Sequence, residues 1–127
     1  MKRPESYQFQ TKLDARGDLS FLEELKDVPF EIKRIYWITG IPEQQVRGGH
    51  AHKTDEQVII CLKGQAQVIL DNKEGEVFEC KLDSANQGLY IPPMWWGKMV
   101  FSHEALLLGL SSEEFSEQDY IRKRDEF

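Results

Sequence analysis

No apolar run in this chain approaches the length needed to cross a bilayer. The N-terminal Met1-Lys2-Arg3-Pro4-Glu5 is positively charged but has no apolar stretch behind it, so a secretory signal is not expected and the reading is of a cytoplasmic protein with no membrane partner. Cysteine is scarce as well. Cys61 and Cys80 are the only two, both lie in apolar strand-like runs, and neither has a neighbour at zinc-ligand spacing, so both are read as buried thiols. Helix signals are few: Ser20 to Leu25 spells one turn at most, and the last dozen residues are compatible with helix or extended chain. Positive charge is in deficit, with 16 basic residues against 22 acidic and a formal net charge of -6. Acidic charge spread along the chain opposes a polyphosphate surface, so nucleic acid is not an expected partner. A nucleotide-sized anion is not excluded, because one or two arginines in a pocket override the global sign for a small ligand.

What the chain does have is the rhythm of short strands. At 127 residues it is long enough to bury a core without staples, and with no repeat, low-complexity tract or composition shift, residues 1–127 are expected to form a single domain. Glycine and proline recur from Gly17 to Gly97, and the runs between them favour period two over period 3.6. Gln57 to Leu62, Lys63-Gly64 and Gln65 to Leu70 read as a tight hairpin. A second hairpin is expected through Asp71 to Gly75 into Val77 to Leu82, with further strands at 31–38, 87–91, 97–102 and 104–110. An all-β barrel or sandwich is the economical architecture.

The chemistry concentrates in Arg47-Gly48-Gly49-His50-Ala51-His52. Residues two apart on a strand face the same way, so both imidazoles project together, and Thr54 and Glu56 continue that parity if the strand is unbroken. Two histidines, a later glutamate and Gly64 reproduce the first signature stretch of cupins, in which His-x-His plus Glu usually binds a metal. The second cupin stretch should bring another histidine, but Gly88 to Lys98 contains none, which depletes the metal set. Without metal, an imidazole with an ordinary pKa of about 6.5 is suited to moving a proton at neutral pH. Around this pair, Arg47 offers an anion clamp or a solvated rim arginine. Arg34 and Tyr36 share parity on a strand, so both can point into the barrel, the alternative being a core tyrosine with a surface arginine. Trp95 and Trp96 form an aromatic platform for a base or sugar, or a packing surface for a second subunit. His103 is expected to be exposed.

Asp14-Ala15-Arg16-Gly17, Pro29 to Tyr36, Arg47 to Lys53 with Glu56-Gln57-Val58, Gly88-Leu89-Tyr90 and Asp119-Tyr120-Ile121-Arg122 together resemble the nucleotide-sugar 3,4-ketoisomerases of the cupin superfamily, over nearly the whole chain. The resemblance implies a single cupin domain, a double-stranded β-helix or jelly-roll barrel, that forms a homodimer by exchanging N-terminal strands and uses neither metal nor cofactor. It further implies isomerisation of dTDP-4-keto-6-deoxyglucose to a dTDP-3-keto-6-deoxyhexose, which would supply an aminotransferase in amino-deoxysugar synthesis for a surface glycan. Carried over to this sequence, His50 is the catalytic base and His52 its partner in proton handling. Arg47, Tyr36, Arg34, Arg16, Trp96 and Gly97 are the residues expected at the substrate. Family members carry a histidine or arginine directly after the tryptophan matching Trp96, and that residue, with the one matching Arg16, influences the C4 configuration. Here the position is Gly97. Two other readings stay open: a silent sugar-nucleotide-binding cupin, motivated by Gly97, and a metal-dependent cupin, motivated by His50, His52 and Glu56.

Overall fold

The computed structural model describes residues 2–127. Twelve strands are formed: β1 (Glu5–Gln8), β2 (Gln10–Lys12), β3 (Leu19–Phe21), β4 (Arg34–Ile38), β5 (Val46–His52), β6 (Gln57–Lys63), β7 (Ala66–Asp71), β8 (Val77–Leu82), β9 (Gln87–Ile91), β10 (Trp96–Phe101), β11 (Leu106–Ser111) and β12 (Tyr120–Ile121). One sheet has the order β1-β9-β6-β11-β4, a second has β12-β5-β10-β7-β8, and β2 pairs with β3 alone. All ladder pairings are antiparallel. From β4 to β12 every connection except the β7–β8 hairpin crosses between the two five-stranded sheets, which is the connectivity of a jelly roll.

Burial follows the pleat. Ala66, Val68 and Leu70 of β7 turn inward, joining Ile59, Cys61, Leu89, Leu107, Trp95 and Phe101 in the core between the sheets. The unbroken apolar run of β6 has a different cause, since its outer face is covered too. Val58 and Ile60 pack under Phe9, Val28 and Phe30 of the N-terminal segment. Full burial of each such side chain stabilises by about 1.5–3 kcal/mol, so the N-terminal segment seals the sheet it lies on.

Three expectations fail here. β6 and β7 occupy almost the predicted residues, but they do not pair with each other. β6 lies between β9 and β11, and β7 between β10 and β8. Gly64, at φ +78°, turns the chain from one sheet to the other, and the corner is held from outside the turn. Gln65 N donates to Ser102 Oγ at 2.8 Å, and Ser102 N donates to the Gln65 carbonyl at 3.0 Å. Alternation along a strand reports its faces and says nothing about its neighbours, which is why the corner read as a hairpin. The β7–β8 hairpin is formed as expected. The helical turn over 20–25 is absent: the chain is extended at Leu19–Phe21 and Leu25 sits at φ +61°. The C-terminal residues alternate single 3-10 turns with the short strand β12. Cys61 is buried as expected, while Cys80 is half-buried.

The glycine pair before the histidines has a steric role. β5 and β10 approach so closely, across a register shift at Gly97/Lys98, that a Cβ on Gly48 would lie 2.7 Å from the Gly97 carbonyl oxygen. Gly48 also sits at φ +98°, where side chains are strained.

Candidate active site

A cavity of about 270 Å³ opens between the two sheets, walled by β4, β5 and β10 and by the C-terminal segment. His50 and His52 both reach it, as their two-residue spacing requires, with ring centroids 5.1 Å apart and planes nearly perpendicular. Arg34, Tyr36, Arg47 and Gly97 also line it. Tyr36 is held by an empty space beneath it. Its ring lies over its cross-strand partner Gly109, where any Cβ would meet the ring at 2.0–2.5 Å.

The two histidines occupy different electrostatic settings. Burial pushes His50 down to about 4, helped by the neighbouring His52 and by the Arg122 guanidinium, with the Gly48 carbonyl and Glu117 pulling the other way. His50 is therefore a neutral imidazole near pH 7, with a lone pair free to accept a proton. Burial also lowers His52, but Asp55 and Asp119 oppose it. His52 Nδ1 lies 3.1 Å from Asp119 Oδ2 and 3.9 Å from Asp55 Oδ2. Asp119 is itself held below the ordinary carboxylate range, because donors from Thr54, His52 and Asp55 outweigh its burial. Burial drives the Tyr36 hydroxyl upward, so it stays protonated.

Arg34 crosses the floor of the site. Its Nη2 donates to Asp55 Oδ2 at 3.2 Å and to Ser111 Oγ at 3.1 Å, while its Nε is buried with no partner. Asp55, at 2 % side-chain exposure, also accepts from Gln57, Ser112 and the Glu113 amide. Arg47 stands exposed at the mouth. The cavity thus combines two guanidinium groups, a fixed phenol and two imidazoles, a set suited to an anionic ligand with an exchangeable proton.

A family model described as FdtA: WxcM-like, C-terminal matches residues 2–127. The chain belongs to this family. A curated relative, the TDP-4-oxo-6-deoxy-alpha-D-glucose-3,4-oxoisomerase of Aneurinibacillus thermoaerophilus, is 44% identical over 121 residues, covering 94% of this chain and 86% of the relative. Among solved structures, a 3,4-ketoisomerase from Helicobacter canadensis is 41% identical with a TM-score of 0.92, over 97% of this chain and 92% of that one. A histidine-to-asparagine variant of the 3,4-ketoisomerase QdtA from Thermoanaerobacterium thermosaccharolyticum, in complex with TDP-4-keto-6-deoxyglucose, is 36% identical with a TM-score of 0.92, over 98% and 91% of the two chains.

Within this family member, two expected site residues lie elsewhere. Trp96 does not line the cavity: it packs against Phe127 at 5.7 Å, with the Arg124 guanidinium 5.3 Å from its ring. Adjacent residues point to opposite sides, so Trp95 faces the cavity instead, buried in the core wall. Arg16 is also outside. It lies on the turn after β2, 90% exposed, and its guanidinium is taken up by Asp14. His103 is exposed as expected.

The metal set that motivated a second reading is not assembled. β5 ends at His52, so Glu56 loses the parity of the histidines and instead accepts from Tyr90 and Lys2. Among the described residues, His52, Asp55 and Asp119 form the one trio with donor atoms close enough to share an ion. Arg34, Gln57, Thr54 and backbone amides already donate to those carboxylates, which leaves a cation few oxygen lone pairs.

Three residues at this site went unassigned in the sequence. Gln57 and Asp119 bracket His52, and Tyr120 packs against both histidines at 5.1 and 4.4 Å. Asp119 and Tyr120 arrive through β12, where Tyr120 pairs with His52 and Ile121 with Ala51. The Asp-Tyr-Ile-Arg string was visible as part of the family resemblance, but its long-range pairing was not.

Proposed function

We propose that this chain is a TDP-sugar 3,4-ketoisomerase, an intramolecular oxidoreductase that converts TDP-4-keto-6-deoxyglucose to the 3-keto isomer. One observation carries the reading: a neutral, half-buried His50 stands beside a carboxylate-flanked His52 in an arginine-lined cavity. The chain's family membership and its 44% identity to a 3,4-oxoisomerase support it. His50 takes the C3 proton, made acidic by the C4 ketone, and an enediolate forms. The carbon is reprotonated at C4, leaving the ketone at C3. One C–H bond breaks at C3 and one forms at C4, so the isomerisation is redox-neutral and needs no external oxidant, while the proton held on His50 can exchange with solvent before delivery. In this reading the Arg34 guanidinium stabilises the developing oxyanion, the Tyr36 hydroxyl gives up its bond to Gln57 if it is to do the same, and Arg47 at the mouth suits the diphosphate. Gly97 lies opposite His50 on β10, and the space a side chain would take there is filled by Leu70, whose Cδ2 would stand 2.8 Å from an added Cβ.

Residues 1–127 act as one domain in this reading, at work in the cytoplasm, and two copies associate. Ile35 and Trp37, 54% and 66% exposed on the outer face of the edge strand β4, offer apolar surface for a second subunit. A dimer would also be the means by which Arg16 reaches a site, that of the neighbouring subunit. No helix among the described residues is long and apolar enough to cross a membrane.

The test is product formation from TDP-4-keto-6-deoxyglucose followed by proton NMR, with His50→Asn alongside. Wild-type conversion to a 3-keto sugar, lost in the variant, is the expected result. Binding without conversion by the wild type would favour a silent sugar-nucleotide-binding protein instead.

A further inference from the structure

We propose that Asp119 is a positioning residue that locks His52, the partner of His50 in proton handling, in the tautomer carrying its proton on Nδ1, so that Nε2 turns a lone pair towards the substrate. The inference deepens the isomerase reading and rests on it. Two hydrogen bonds, one on each side of the ring, impose the same choice. Asp119 Oδ2 is an acceptor, so His52 Nδ1, 3.1 Å away, must be the donor. On the other side of the ring, Gln57 Nε2 lies 3.4 Å from His52 Nε2, which must therefore offer a lone pair. The orientation of the Gln57 amide is fixed in turn. Its Nε2 donates to Asp55 Oδ2 at 3.0 Å and its Oε1 accepts from the Tyr36 hydroxyl at 2.7 Å.

Asp119 cannot easily turn away. Thr54 N and Thr54 Oγ1 donate to its Oδ1 at 2.8 and 2.7 Å, Asp55 N donates to its Oδ2 at 3.2 Å, and Lys53 N donates to its carbonyl at 2.9 Å. The chain of donors runs in one direction, from Tyr36 through Gln57 and His52 to Asp119. At 3.4 Å the Gln57 bond is the weak member, so a substrate hydroxyl can replace it at Nε2.

Moving the ketone from C4 to C3 requires one proton to leave O3 and one to join O4. A lone pair at Nε2 is suited to accept the first, giving an imidazolium whose Nδ1–H faces the Asp119 carboxylate and which can return a proton to O4. Asp119 takes no proton at any point.

Asp119→Asn tests this, because the amide keeps its oxygen toward Thr54 and turns its NH2 toward His52 Nδ1. The expected result is a folded protein in which the 15N NMR spectrum shows His52 protonated on Nε2, with kcat down about 100-fold and KM within threefold of wild type. A His52 that keeps its proton on Nδ1 in the variant, or a kcat loss under tenfold, overturns the proposal. Should the variant not fold, the wild-type 15N spectrum decides, Nδ1–H supporting the proposal and Nε2–H sinking it. That spectrum needs no substrate. A wild type that fails to isomerise the sugar would refute the proposed function separately, through the kinetic measurement alone.

Discussion

Gly109→Ala is the sharpest test of how the cavity holds its phenol. The added Cβ would lie 2.0 Å from Cζ of Tyr36, 2.3 Å from Cε1 and 2.5 Å from Cε2. Carbon atoms settle at about 3.5 Å or more, so the ring must retreat by about 1.5 Å. That movement breaks the 2.7 Å bond from the Tyr36 hydroxyl to Gln57. Overpacking of this kind costs about 1–3 kcal/mol and the lost hydrogen bond about 1 kcal/mol. Gly109 is not at positive φ, so alanine adopts its backbone freely and recovers about 0.4–1 kcal/mol by restricting the unfolded chain. The net is a loss of about 2 kcal/mol, equivalent to roughly 8 °C in Tm for a chain of this size. Differential scanning calorimetry reads the stability, and the NMR turnover assay reads the consequence for Tyr36. A Tm within 2 °C of wild type, with turnover unchanged, would refute the idea that contact with Gly109 places the ring.

Other substitutions probe separate parts of the account. Arg34→Met leaves the buried Asp55 carboxylate without its cation, and urea unfolding should show a loss of about 3 kcal/mol; under 1 kcal/mol would mean the remaining donors to Asp55 suffice. An NMR titration of His50 should give a midpoint near 4, and a value above 6 would contradict its burial-driven depression. Because that folded value lies below the unfolded value of about 6.5, the associated stability is complete above pH 6.5 and is lost as pH falls toward 4. Tm should therefore drop between pH 7 and pH 4.5 on account of His50, whereas Asp14, held down to about 2 by Arg16, loses its contribution only lower, as pH falls from about 4 towards 2. Trp96→Ala should leave KM within twofold, since Trp96 packs on Phe127 and Arg124 outside the cavity; a tenfold rise would place it at the ligand after all.

Local periodicity made much of this site legible. Period two put His50 with His52 and Arg34 with Tyr36, and both pairs line the cavity. The glycines before His50 signalled close backbone approach, and Gly48 does meet β10. What escaped depends on contacts between distant parts of the chain. Gln57 and Asp119 reach His52 only after β6 has docked in one sheet and β12 has closed on the edge of the other. The β6–β7 corner failed as a hairpin for a related reason: its anchor is Ser102, 37 residues beyond Gln65. Trp95 and Trp96, adjacent in sequence, do not form one platform, because the pleat sends Trp95 to the cavity and Trp96 to Phe127 and Arg124.

Deuterium incorporation during turnover is the most direct test of the central claim that His50 moves a proton between adjacent carbons. TDP-4-keto-6-deoxyglucose would be incubated with the protein in D2O, and the C3 and C4 proton signals followed. The account predicts a 3-keto product deuterated at C4 with wild type, and neither product nor exchange at C3 with His50→Asn. Unchanged exchange and product formation in the variant would contradict it.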